Sequence, residues 1–198
     1  MKKIIGRYMV KVKQDKDPID PREDDNLGTM VCFHNRYSLG DTRREKHNYM
    51  PDDYTSWDEL KRAIIKNEKV GVILPLYLYD HSGITMNTTG FSCPWDSGQV
   101  GFIFVSKKKM LEEYGGKIVT KQLKEKVEKY LVGEVETYDK YLTGEVYGFE
   151  VWKLKKNGKK KKMIDSCWGF YDEDECMKEG EACVPKQELE ETIQEHQE

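Results

Sequence analysis

The run VYGFEVWKLKK (146–156), the pair Asn157-Gly158 and the run KKKKMIDSCWGFY (159–171) constrain this chain more than any other feature. Both flanks are rich in β-branched and aromatic residues, and Asn-Gly readily takes the left-handed conformations of a type I′ turn. The spacing therefore predicts a two-residue β-hairpin, and with it an antiparallel sheet. In that register partner numbers sum to 315, so Lys153 faces Lys162, Lys155 faces Lys160 and Glu150 faces Asp165.

Two candidate sites follow from the register. Lys153, Lys155, Lys160 and Lys162 form a cationic ridge, and opposed like charges repel. Such a ridge implies a polyanionic partner, contact with an acidic segment of the same chain, or a solvated tip that discourages edge pairing. Glu150 and Asp165, paired beside Trp152, Met163 and Cys167, would need a shared proton, an intervening cation or a partner's basic group. A bulge that shifts the register would separate them.

The remaining strands read from alternation and apolar runs. KIIGRYMVKVK forms a first strand, LGTMVCFHNRY a second, and VGVILPLYLY (70–79) and QVGFIFV (99–105) are apolar on both alternations, as strands covered on both faces are. SWDELKRAIIKNE opens with a capping box at Ser56 and Glu59 and turns Leu60 and Ile64 to one face. Ser106 caps a short helix through Tyr114, and Leu123, Val127, Tyr130, Leu131 and Tyr138 keep the helical period over about residues 120–142.

Charge divides the chain unevenly. From Asp172 onward there are eleven acidic residues against Lys178 and Lys186, about −9, which leaves the body near +6 of the total −3. At 198 residues the chain has the length of one domain. The expectation is a single α+β domain over 1–171 and an acidic tail over 172–198 carrying a weak C-terminal helix. No apolar run reaches membrane-spanning length and no secretory leader pattern opens the sequence, which implies a soluble, cytosolic protein without a membrane partner. The five cysteines include no tight CxxC pair and read as reduced thiols.

Between the two apolar strands, YDHSGITMNTTGFSCPWDSG (79–98) gathers the chemistry-bearing residue types. Asp80, His81 and Cys93 are the ingredients of a thiol nucleophile with an oriented base, but spacing alone does not bring them together. A zinc reading would draw on His34, His47, His81 and Cys32 or Cys93; Cys32-x-His34 is not a zinc spacing, and no metal or cofactor is assigned. No phosphate-cradling glycine loop, HExxH or GxSxG occurs. A connection of this length, with Trp95 followed by Asp96-Ser97-Gly98, reads best as a recognition loop, with Asp80, His81, Ser82, Cys93, Trp95, Asp96 and Ser97 as binding residues.

The phrases DNLGTMVCFHNRYSLGD (25–41), LPLYLYDHSGITMNTTGFSCPWDSGQVGFIFVS (74–106), EVETYDKYLTGEVYGF (134–149) and DSCWGFY (165–171) resemble an uncharacterised family of small proteins encoded by bacteriophages and other mobile elements. The resemblance runs over about 17–171 and leaves the acidic tail outside. It implies a genomic setting rather than a reaction, so no residue takes a role from it. Small phage accessory proteins commonly bind a host protein or nucleoprotein in the host cytoplasm, often one belonging to a defence system, as anti-CRISPR or anti-restriction inhibitors do.

Three expectations follow. The fold is α+β, a mixed, mainly antiparallel sheet packed on one side by helices 56–67 and 120–142 and carrying a long C-terminal β-hairpin. The leading function is non-enzymatic binding of a host target. The alternatives are a small hydrolase or nucleotide-processing enzyme using His81 with Cys93 or Glu150 with Asp165, and a nucleic-acid-binding protein working through the lysine-rich hairpin.

Overall fold

The computed structural model describes residues 1–41 and 47–185. They form an α+β protein whose strands build two four-stranded sheets, antiparallel at every pairing. The single mixed sheet expected above is thus corrected to two. The contacts divide the chain into two compact units, named by position in the sequence: an outer one drawn from 1–19 and from 144 onward, and an inner one drawn from 20–143.

In the inner unit the sheet order is β3 (Thr29–Cys32), β6 (Ser97–Ser106), β4 (Val70–Asp80), β5 (Ile84–Asn87). β6 is apolar on both alternations because both of its faces are covered. Phe102 and Phe104 meet Leu60 and Ile64 of α1 (Trp57–Glu68). Ile103 and Val105 meet the stripe Val127, Leu131, Val135 and Tyr138 of α3 (Lys121–Thr143). The two helices therefore lie on opposite faces of this sheet, not on one side as expected. The Ser56 cap forms, its Oγ accepting from the Glu59 amide at 3.2 Å, while the Glu59 carboxylate reaches back one residue further than a strict capping box, to the Thr55 amide and hydroxyl. α2 (Lys107–Tyr114) starts at its Ser106 cap and buries Met110.

β5 lies inside the segment that had been read as one long connection. It pairs with β4 through Tyr77–Asn87 and Leu78–Met86, and Asp139 of α3 accepts from Thr85 Oγ1 and the Met86 amide, both at 2.7 Å.

A polar staple closes the other end. The Arg22 guanidinium spans Asp41 with two 3.0 Å bonds, reaches Glu134 at 3.0 Å and donates to the Gly28 carbonyl at 2.7 Å. Asp41 also accepts from the Met30 amide, and Glu134 from that of Leu27. Three buried charges are tolerable here because each is paired and hydrogen-bonded.

In the outer unit the order is β1 (Lys2–Ile5), β2 (Tyr8–Gln14), β7 (Tyr147–Leu154), β8 (Lys160–Phe170). The opening run KIIGRYMVKVK is a tight hairpin of two strands around Gly6, whose positive φ the turn requires, rather than one strand. One face packs on α4 (Glu173–Ala182) through Val10, Val12, Phe149, Val151, Cys176 and Met177. α4 falls in what the sequence had implied was a loose acidic tail. Asp172 caps it, accepting from the Glu175 amide at 2.7 Å, and Glu173, Asp174 and Glu175 occupy the first turn, where the helix dipole favours negative charge. The weak C-terminal helix of the expectation lies outside the described residues.

The β7–β8 hairpin forms, but with a different turn. Gly158 alone has positive φ, its amide bonds the Lys155 carbonyl and the Lys155 amide bonds the Lys159 carbonyl, so the loop has three residues closed by a left-handed glycine. Lys155 therefore faces Lys159, and Lys160 faces Leu154. A bulge restores Lys153 opposite Lys162, and a second places Glu150 opposite Ser166 and Asp165 opposite Val151. The pairings of Lys155 with Lys160 and of Glu150 with Asp165 are accordingly corrected.

Candidate recognition site

The 79–98 segment sits at one end of the inner sheet, where β4 turns into β5 and the chain returns to β6. His81, Ser82 and Gly83 make the tight turn, with Ser82 at φ 58° and the His81 amide bonded to the Gly83 carbonyl at 3.0 Å. Beyond β5 the chain is fastened at several points. Asn87 Oδ1 accepts from the amides of Thr89 and Gly90, the Phe91 ring packs 5.6 Å from Tyr79, and the Ser97 hydroxyl donates to the Cys93 carbonyl. The Asp80 amide bonds the Asp96 carbonyl at 2.8 Å, which ties both ends together.

That frame displays Trp95 with 92% of its surface exposed. Trp95 borders an open cleft of about 360 Å³ with His34, Arg36, Asp80, Asp96 and Gln99. Arg36 pairs with Asp80, whose other oxygen accepts from the Tyr37 hydroxyl at 3.2 Å. His34 accepts the amides of Arg36 and Tyr37 on Nδ1 and stacks on the Tyr37 ring at 5.0 Å, which holds the turn presenting both residues. The result is a solvent-facing arrangement of aromatic, cationic and anionic groups on an anchored support.

All the binding residues named from the sequence, Asp80, His81, Ser82, Cys93, Trp95, Asp96 and Ser97, lie at this end of the sheet. Arg36 and Tyr37 were missed; the only sequence signal for them is that a basic residue and an aromatic follow β3.

The geometry disfavours a thiol nucleophile. The Cys93 thiol faces Asp96 Oδ2 at 3.6 Å and the His81 imidazole approaches the same oxygen at 3.4 Å. Nothing joins sulfur to imidazole. The thiol donates instead to the Asp96 carboxylate, which is too weak a base to take its proton. Among the described residues, no three His, Cys, Asp or Glu side chains gather as they would around a metal ion.

The other pair of candidates separates. Glu150 is bridged by Lys13, approached by Lys160 at 3.5 Å and bonded by Trp152 Nε1 at 2.8 Å. Burial works to raise its carboxyl, but the Lys13 and Trp152 hydrogen bonds and the two lysine charges outweigh it, so the group titrates below the ordinary carboxylate range. It is a satisfied anion, unsuited to general acid catalysis. Asp165 lies on the opposite face of the sheet from it in the alternation, where it bonds the Cys183 thiol; burial, and after it Asp165, push that thiol up. Nor do the lysines make one ridge: Lys160 folds over the Trp152 ring at 3.9 Å, whereas Lys153 lies over Tyr8 at 5.5 Å on the α4 side.

Among the described residues no helix is long and apolar enough to cross a membrane. No family model, no curated protein and no solved structure matches this chain.

Proposed function

We propose that this protein is a non-catalytic binding protein whose recognition surface is centred on Trp95, with Arg36, Asp80, His81 and Asp96 around it. The exposure of Trp95 carries the reading. An indole held in water on a fastened loop, flanked by charges of both signs, has the composition of a protein-binding hot spot. The resemblance to phage-encoded proteins supports a host protein or nucleoprotein as the partner class, and modulation of a defence system, of anti-CRISPR or anti-restriction type, as its consequence.

Tagged protein and its Trp95→Ala and Asp96→Arg variants, each used to capture partners from nuclease-treated bacterial lysate, test the reading. The expected result is a stoichiometric host protein retained by the wild type and by Lys161→Glu and lost from both loop variants. A partner retained equally by Trp95→Ala and Asp96→Arg places recognition elsewhere and overturns the assignment.

A further inference from the structure

In the outer unit, strand alternation turns one face of the β1–β2–β7–β8 sheet toward α4 and leaves the other open. The register aligns Ile4, Met9, Trp152 and Met163 in one row across all four strands, with Ile4 60% and Met163 45% exposed. Beside it runs Lys2, Lys11, Glu150 and Ser166, and beyond that Lys13, Gly148 and Trp168.

The indoles are placed by specific neighbours. Trp168 lies across Gly148, where a Cβ would come within 2.2 Å of the ring, so the glycine is what lets the indole rest on the sheet. Trp168 remains 43% exposed. Trp152 is fixed edge-on by its Nε1 bond to Glu150 and carries the Lys160 ammonium on its face. Lys2, Lys11, Lys13 and Lys160 outnumber the one acid, Glu150, and exposed Lys155, Lys156, Lys159 and Lys161 continue the positive charge onto the hairpin tip.

We propose that this open face binds single-stranded nucleic acid. Unpaired bases stack on aromatic planes while lysines follow the phosphates, and this face supplies both on one sheet. Lys160 gives up the Trp152 ring to a phosphate as a base takes its place. A duplex keeps its base faces inside the stack and cannot use the indoles. An acidic peptide answers the lysines but offers no flat ring system to Trp152 and Trp168. The assignment is independent of the Trp95 surface.

Fluorescence anisotropy of a short fluorescein-labelled oligothymidylate, titrated with full-length protein over a salt series, is the test. The expected result is binding whose logarithm falls linearly with that of the salt concentration, with Lys11→Ala lowering the slope by about one. Trp168→Leu weakens binding by about fivefold to a hundredfold, and Trp168→Phe, which keeps a stackable ring, recovers most of it. Trp95→Ala binds as the wild type does. Absence of binding at low salt overturns the proposal. So does polyglutamate displacing the oligonucleotide as well as unlabelled oligothymidylate does, or Trp168→Leu binding undiminished with the circular dichroism of the wild type.

Discussion

Replacing Arg22 by methionine would leave two buried carboxylates, Asp41 and Glu134, without the cation between them. Breaking a buried ion pair from the cation side costs about 3–5 kcal/mol, so the urea midpoint of Arg22→Met falls steeply, and Arg22→Lys recovers little because an ammonium cannot span Asp41 with two bonds. His47 and Glu150 both contribute to the acid limb of stability. Burial holds the His47 imidazole below its ordinary value, and among the described residues its Nδ1 has no hydrogen-bond partner, so the unfolded chain takes the proton first and stability falls as pH drops below about 6.5. Glu150 is depressed, so its contribution is present above the ordinary carboxylate value near 4.3 and is lost as pH falls through its lower folded value. Urea midpoints measured against pH should fall less steeply in the lower window for Glu150→Gln than for the wild type, and an unchanged slope in that variant would show that Lys13 and Trp152 do not hold the Glu150 charge. Trp95 and Asp96 could be singled out from the sequence because polar neighbours mark them within one short segment. Arg36 could not, because its contact with Asp80 spans 44 residues and leaves no local pattern.

The elements were legible wherever periodicity is local. α1, α2 and α3 follow from caps and apolar spacing, and β4 and β6 from their double-sided apolarity. Register was less legible, because one additional residue in the hairpin loop and two bulges separate Glu150 from Asp165. α4 was obscured by net charge: five of its ten residues are acids, three of them in the first turn, while Cys176, Met177 and Gly180 form the buried stripe. Close approach of strands gives a sharper test of the packing. A Cβ at Gly101 would lie 1.9 Å from the Val31 carbonyl oxygen, a backbone atom that cannot rotate away. Gly101→Ala therefore destabilises by about 1–3 kcal/mol or more as β3 is pushed off β6, seen as a lowered thermal midpoint. Gly98→Ala on the same strand meets nothing within 4 Å and serves as the control.

At the scale of the molecule, one continuous segment, 20–143, makes one compact unit, and the two chain ends together make the other. Sequence patterning could not show this, since β2 and β7 pair across more than a hundred and thirty residues, as Lys13 with Gly148 does. The inner segment holds its own sheet and two apolar clusters, so residues 20–143 expressed alone should unfold cooperatively in urea with the near-ultraviolet dichroism of packed aromatics. A chain of residues 144–198 alone lacks β1 and β2 and should not. The proposed recognition surface belongs to that inner segment. The most direct test of it is photo-crosslinking in bacterial cells from a photoreactive amino acid placed at exposed Ser82, next to His81 whose imidazole meets Asp96, with a second at exposed Lys129 on α3. A single host protein joined from Ser82, absent from Lys129 and lost when Trp95→Ala is added, is the predicted result. Equal crosslinking from both positions, or a Ser82 product that survives Trp95→Ala, would contradict the account.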